Sequence, residues 1–221
     1  MPNEGLLDFL SNPVAEKSSS VKATITVYRP FIWIFMLEVL SLFTAYLFAT
    51  QPIIRKVKDR FKLDRLQESD LLTVGVLVGL SLILGLVIGM ISSIQLSVGR
   101  EYVPSWVLLA VLSGFVLVQL QYLLLKHFRV IGMGLAFFML ISYVYLSSAI
   151  GTTATLSGLP ALVKNVNLLS ILEGQFAGYF DGQTAGIGVF FGLLVFFGLL
   201  AVATIFIPKK FTQTKEIESS L

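Results

Sequence analysis

Apolar positions in this chain are gathered into long runs, and polar positions fill the gaps between them. Five runs reach the roughly 20 residues that a helix needs to cross the hydrocarbon core. They cover about 31–50, 71–94, 104–125, 130–150 and 185–207. In lipid the backbone must satisfy its own hydrogen bonds, so the runs predict helices. The alternation of an outer-membrane strand is missing from them. The expected fold class is all-α: a polytopic membrane protein with five transmembrane helices over residues 31–208.

The ends of the runs carry helix signals. Pro30 and Pro104 stand at span starts, where a missing N–H costs little, and Pro52 and Pro208 follow span ends. Trp33 and Trp106, with Tyr28 and Tyr102 just before them, suit the headgroup level. Basic residues then orient the bundle. Arg55, Lys56, Lys58, Arg60, Lys62, Arg65, Lys126, Arg129, Lys209, Lys210 and Lys215 fall on one side; Lys17, Lys22, Arg29, Arg100 and Lys164 fall on the other. The positive-inside rule makes the first side cytoplasmic. The tail, 209–221, is then inside, residues 1–30 form an external lead-in, and the protein is expected in the cell membrane with its C-terminus cytoplasmic.

An external lead-in needs a route across the membrane. Glu4 and Asp8 stand where a signal peptide would carry positive charge, and no long apolar core follows them. One expectation is that the chain is the later part of a longer architecture, with an upstream span and an external domain in the same polypeptide or a split partner. The other is that the first span inserts alone as a reverse anchor.

Two connections are more than turns. Residues 51–70 form a cytoplasmic link of helical periodicity, with Ile53, Ile54, Val57, Phe61 and Leu66 on one face. Arg55, Lys56, Lys58, Arg60, Lys62 and Arg65 make it a candidate coupling helix, lying on membrane lipid or docking a partner. Residues 151–184 are longer than a helix–helix turn requires and predict one or two short helices in an external re-entrant or interfacial element.

Composition narrows the function. The chain of 221 residues is 56% hydrophobic and 13% charged, about half the charge of a soluble domain. It has no cysteine and one histidine, so thiolate and imidazole-rich metal sites are excluded. The net charge of +3 reads as membrane sidedness, and no nucleic-acid partner is expected. No phosphate-binding loop, nucleophile elbow or zinc-protease motif occurs, so neither an enzyme nor a cofactor is expected. His127 in the basic turn reads as an interfacial residue or a proton-handling one.

Two acids stand out as candidate functional residues. Glu38 lies inside the first span, where a carboxyl group is costly. It has two readings: an interhelical hydrogen bond to a side chain such as Ser41, Gln119 or Gln121, or a functional role facing a partner subunit. Glu173, in the external stretch, is either a lining residue at an outer mouth or a solvated interfacial charge. The pairs Gly75/Gly79, Gly85/Gly89 and Gly188/Gly192 have the spacing of close helix contacts, inside the bundle or along a dimer seam.

The order of these features resembles a known architecture. Five spans after an external segment, a cytoplasmic amphipathic link and a re-entrant element before the last span look like the membrane half of type-2 ABC exporter permeases. More narrowly, Phe9-Leu-Ser-Asn-Pro-Val14 is similar to the segment closing the external domain in the YhgE/Pip and EsaA/YueB group. Asn167-Leu-Leu-Ser-Ile-Leu-Glu173 is similar to the stretch before that group's final span. The long external domain of the group is absent here. The resemblance implies an accessory component of Gram-positive type VII secretion, anchoring and coupling the export machinery as a homodimer, with ATP hydrolysis left to a separate ATPase. The alternative it implies is an exporter permease moving a lipid or peptide with its own ATPase.

Overall fold

The structure is a computed structural model, and it describes residues 13–50, 71–147 and 158–206, with side chains from residue 30 onward. Among the described residues the chain forms seven α-helices: α1 (Pro13–Thr50), α2 (Leu71–Gln95), α3 (Val103–Phe128), α4 (Val130–Leu146), α5 (Leu159–Val166), α6 (Leu168–Gly178) and α7 (Ile187–Phe206). A single 3₁₀ turn, Tyr179–Asp181, follows α6. Four helices are long and apolar enough to cross a membrane: α1 over Pro30–Thr50, α2, α3 and α7. Their bounds fall within three residues of the expected spans. The fourth expected span appears as α4, which has 17 residues and sits at the short end of the spanning range; residues 148–150 of that run lie outside the described residues.

Residues 13–29 are helical and continuous with the first span, so that α1 runs for 38 residues with Pro30 inside it, about 57 Å at 1.5 Å per residue. Proline there removes one backbone hydrogen bond from the ladder, which a helix supported on its neighbours tolerates. Between α4 and α7 the described residues form two short helices, α5 and α6. Asn167 separates them: its backbone is extended, and its Oδ1 accepts the Leu169 N–H at 2.9 Å, capping α6.

Helix α3 is the centre of the bundle. It packs on α1, α2, α4 and α7. The α2–α3 contact is the most extensive, and glycine lets the two helices approach closely. A Cβ built on Gly85 would stand 2.5 Å from the Val111 Cα, and one on Gly89 would stand 3.1 Å from the Val107 Cα. Two backbones meet there because one of them carries no side chain. The other glycine pairs differ: at Gly75, Gly79, Gly188 and Gly192 nothing lies within 4 Å of an added Cβ.

The α3–α4 connection is almost without a loop. Arg129 alone reverses the chain, with φ 47°, a left-handed conformation uncommon outside glycine. Gly132 completes the reversal, since a Cβ there would stand 2.1 Å from the Leu124 carbonyl oxygen.

At the end of the bundle nearest α6, the Trp106 indole is enclosed, with 1% of its surface exposed. Its Nε1 donates to Ser92 Oγ at 2.8 Å, and Phe176, Tyr179 and Phe180 meet the ring edge-on. Trp106 thus belongs to the packed core that joins α3 to α6 and the turn after it.

Candidate functional site

Glu38 is fully buried between α1 and α3. Of the three side chains that the sequence offers it, the structure brings Gln121, whose Nε2 donates to Glu38 Oε1. Helical geometry explains the choice. Gln119 and Gln121 are two residues apart, about 200° around the helix, so they face nearly opposite sides. Gln121 turns to α1, and Gln119 turns to α7, donating to Thr204 Oγ1 at 2.6 Å. Ser41 shares the Glu38 face of α1 at i+3 and is also fully buried. Glu38 Oε2, Gln121 Oε1, Ser41 Oγ and Ser113 Oγ find no partner among the described residues. Such atoms are rare in folded interiors.

Thr204 is a contact that the sequence reading missed. Its hydroxyl accepts from Gln119 Nε2 and donates to the Leu200 carbonyl at 2.8 Å, and its carbonyl accepts from Lys126 Nζ at 2.8 Å. Lys126 thus binds a last-turn carbonyl of α7, where a cation is favoured by the helix dipole. The available signal was a glutamine inside an apolar run, assigned above to Glu38 alone. The neighbouring His127 places Nδ1 3.0 Å from the Leu123 carbonyl oxygen, within its own helix.

Glu173 lies on α6 near the opposite end of the bundle. It is buried, not solvated, and its two carboxylate oxygens accept from Ser147 Oγ at 3.1 and 3.3 Å. Ser147 is the C-cap of α4, so this bond ties α6 to the end of α4. Burial pushes the Glu173 carboxyl above the usual carboxylate range, against the opposing pull of the Ser147 hydroxyl and the Lys164 charge. Glu38 and Glu173 have separate hydrogen-bond partners: Glu38 joins α1 to α3, and Glu173 joins α6 to α4. Arg55, Lys56, Lys58, Arg60, Lys62 and Arg65 lie outside the described residues.

Apolar spanning helices fastened by a few buried polar side chains define a polytopic helical membrane protein. The comparisons with known proteins narrow that class. The profile of the EsaA helical domain matches residues 26–205, and the chain belongs to this family. It is similar to the type VII secretion system accessory factor EsaA of Staphylococcus aureus strains USA300, Newman and NCTC 8325, at 25% identity over 189 residues in each. The aligned region is 82% of this chain and 18% of those relatives, so the chain spans a small part of their length. No solved structure matches it.

Proposed function

We propose that the chain is the membrane domain of an EsaA-like component of a type VII protein secretion system. In this reading it has five spans and a cytoplasmic C-terminus, and it works as a homodimer. The bundle anchors an external domain, in the same polypeptide or a partner, and the 51–70 link couples it to the cytoplasmic export machinery. No chemistry is assigned to it. The match to the EsaA helical domain over nearly the whole bundle carries the reading. The extension of α1 to Pro13, well beyond the Pro30–Thr50 span, supports it, because one helix then belongs both to the bundle and to what lies outside.

Tagged chain, solubilised in mild detergent from a host that carries it, tests the reading. Secretion-system components are expected to copurify, and secretion is expected to fail when the 51–70 link is disrupted. Recovery of an ATP-binding-cassette subunit instead, with transport of a lipid or peptide lost on the same disruption, would overturn it in favour of the exporter alternative. Reporter fusions at Lys62 and Lys209 should read cytoplasmic and one at Leu156 external; a cytoplasmic signal at Leu156 breaks the five-span topology.

A further inference from the structure

The buried join between α1 and α3 lacks one donor. Gln121 Nε2 donates to Glu38 Oε1, while Glu38 Oε2 and Gln121 Oε1 have no partner among the described residues. Both of these atoms are acceptors, so no approach between them is a hydrogen bond until one carries a hydrogen. Ser41 does not supply it. Its hydroxyl is on the same face of α1 and fully buried, and a hydroxyl within reach would have bonded either acceptor; it bonds neither. Water would need room beside the pair and two or more polar partners. A cavity of about 10 Å³ stands against Leu37, and its lining includes neither Glu38 nor Gln121.

The surroundings offer no counter-charge either. The Pro30–Thr50 span packs with α2, α3, α4 and α6. Besides Glu38, the ionisable groups on these elements are Tyr46, Tyr122, Lys126, His127, Tyr143, Tyr145 and Glu173. None of them donates to Glu38 Oε2. Lys126 lies five residues beyond Gln121, about 140° around α3, and its Nζ donates to the Thr204 carbonyl of α7. His127 meets the Leu123 carbonyl of its own helix, and Glu173 is held by Ser147. An ionised carboxylate with one neutral donor and no cation is among the costliest groups that a dry interior can hold.

We propose that Glu38 and Gln121 form a closed acid–amide pair that binds one proton, carried on Glu38 Oε2 and donated to Gln121 Oε1. The amide N–H and the acid O–H then run in opposite directions between two planar groups, and the single added hydrogen satisfies both orphaned acceptors. The pair is neutral, so two hydrogen bonds join α1 to α3 without a counter-ion. The proton is part of the fastening. Its removal takes away one bond and sets a negative charge against the carbonyl oxygen of Gln121, so that losing it loosens α1 from α3.

Infrared spectroscopy of the full chain in detergent, with carbon-13 at its glutamate carboxyl groups, tests the proposal near neutral pH. Subtracting the spectrum of Glu38→Gln should reveal the loss of a protonated-acid C=O band. Loss of the carboxylate bands instead, with or without a water in the gap, overturns the proposal. In Gln121→Leu the acid band should move to higher frequency, because the O–H has lost its carbonyl acceptor; an unmoved band means that the proton is not shared with Gln121 and overturns the closed pair. Glu38→Gln puts an N–H where the acid has its O–H, so the amide–amide pair keeps both bonds and should unfold at the midpoint of the parent. A gain or loss of stability as large as that of Gln121→Leu counts against the pair. Should Glu38→Gln fail to fold, the band is read in a Glu173→Gln background, which removes the other buried acid of the described residues. A protonated-acid band should survive there once exposed carboxyl groups are ionised, and its absence overturns the proposal.

Discussion

Helices α3 and α7 both cross the bundle, and they are held in opposite ways. In the most apolar stretch of α3, 72% of the residues are buried, against 17% for α7. Yet α3 is the less hydropathic of the two and carries Ser113, Gln119 and Gln121 in its interior. In water the most apolar helix goes to the centre. In lipid the tails are as apolar as leucine, so hydrophobicity does not choose the centre; close backbone approach and polar contacts do. The centre of this protein is the helix with the most polar side chains to place, and its periphery is the most apolar.

That comparison is broken most severely at the α2–α3 notch. Gly85→Ala forces two backbones apart and should cost about 1–3 kcal/mol by thermal unfolding in detergent. Gly79→Ala, where an added methyl meets nothing, should cost nothing. Equal stability of the two variants would mean that α3 is not held by close approach. Next comes the polar pin between α1 and α3. Gln121→Leu leaves Glu38 buried without its donor and should cost about 1–2 kcal/mol in mixed-micelle denaturation. Glu38→Leu combined with Gln121→Leu should recover part of that loss, because neither orphan remains.

The pin on α7 is weaker. Thr204→Val should cost about 0.6 kcal/mol, the average for such bonds in membrane bundles. Because the chain has no cysteine of its own, the change can be read locally. Phe115→Cys and Phe197→Cys replace two rings with centroids 5.4 Å apart, and their disulfide should form more slowly when Thr204 is valine. An unchanged rate would assign α7 to packing alone. The smallest effect concerns Glu173. Its folded carboxyl titrates above the unfolded one, so the folded state holds more protons in the interval between them. Stability should then fall as pH rises through that interval, from the ordinary carboxylate range upward. Glu173→Gln should flatten the profile relative to the parent chain, and parallel profiles would refute the assignment.

The helices were legible in the sequence because the bilayer imposes their length, and a run of apolar residues states that length directly. The position of each helix in the bundle was not. Periodicity is weak when nearly every residue of a span is apolar, so Gly85 and Gly75 looked alike, although one meets a backbone and the other meets nothing. Glu38 was identifiable by its cost, and Gln121 was among its three candidate partners. Choosing between Gln119 and Gln121 required the rotation of α3 against its neighbours. The enclosure of Trp106 was not legible, because Phe176, Tyr179 and Phe180 lie some seventy residues away in sequence.

The bond between Glu38 and Gln121 also has a history in time. Its two partners are 83 residues apart, and synthesis proceeds at about 5–20 residues per second. The carboxyl group is therefore made about 4–17 seconds before the amide that will receive it. Helices α1 and α2 touch each other far less than each touches α3, so the first two spans have little to hold them during that interval. Biogenesis of this protein thus contains a waiting period with an unaccompanied acid at the membrane, and the emergence of α3 from the ribosome is the event that ends it.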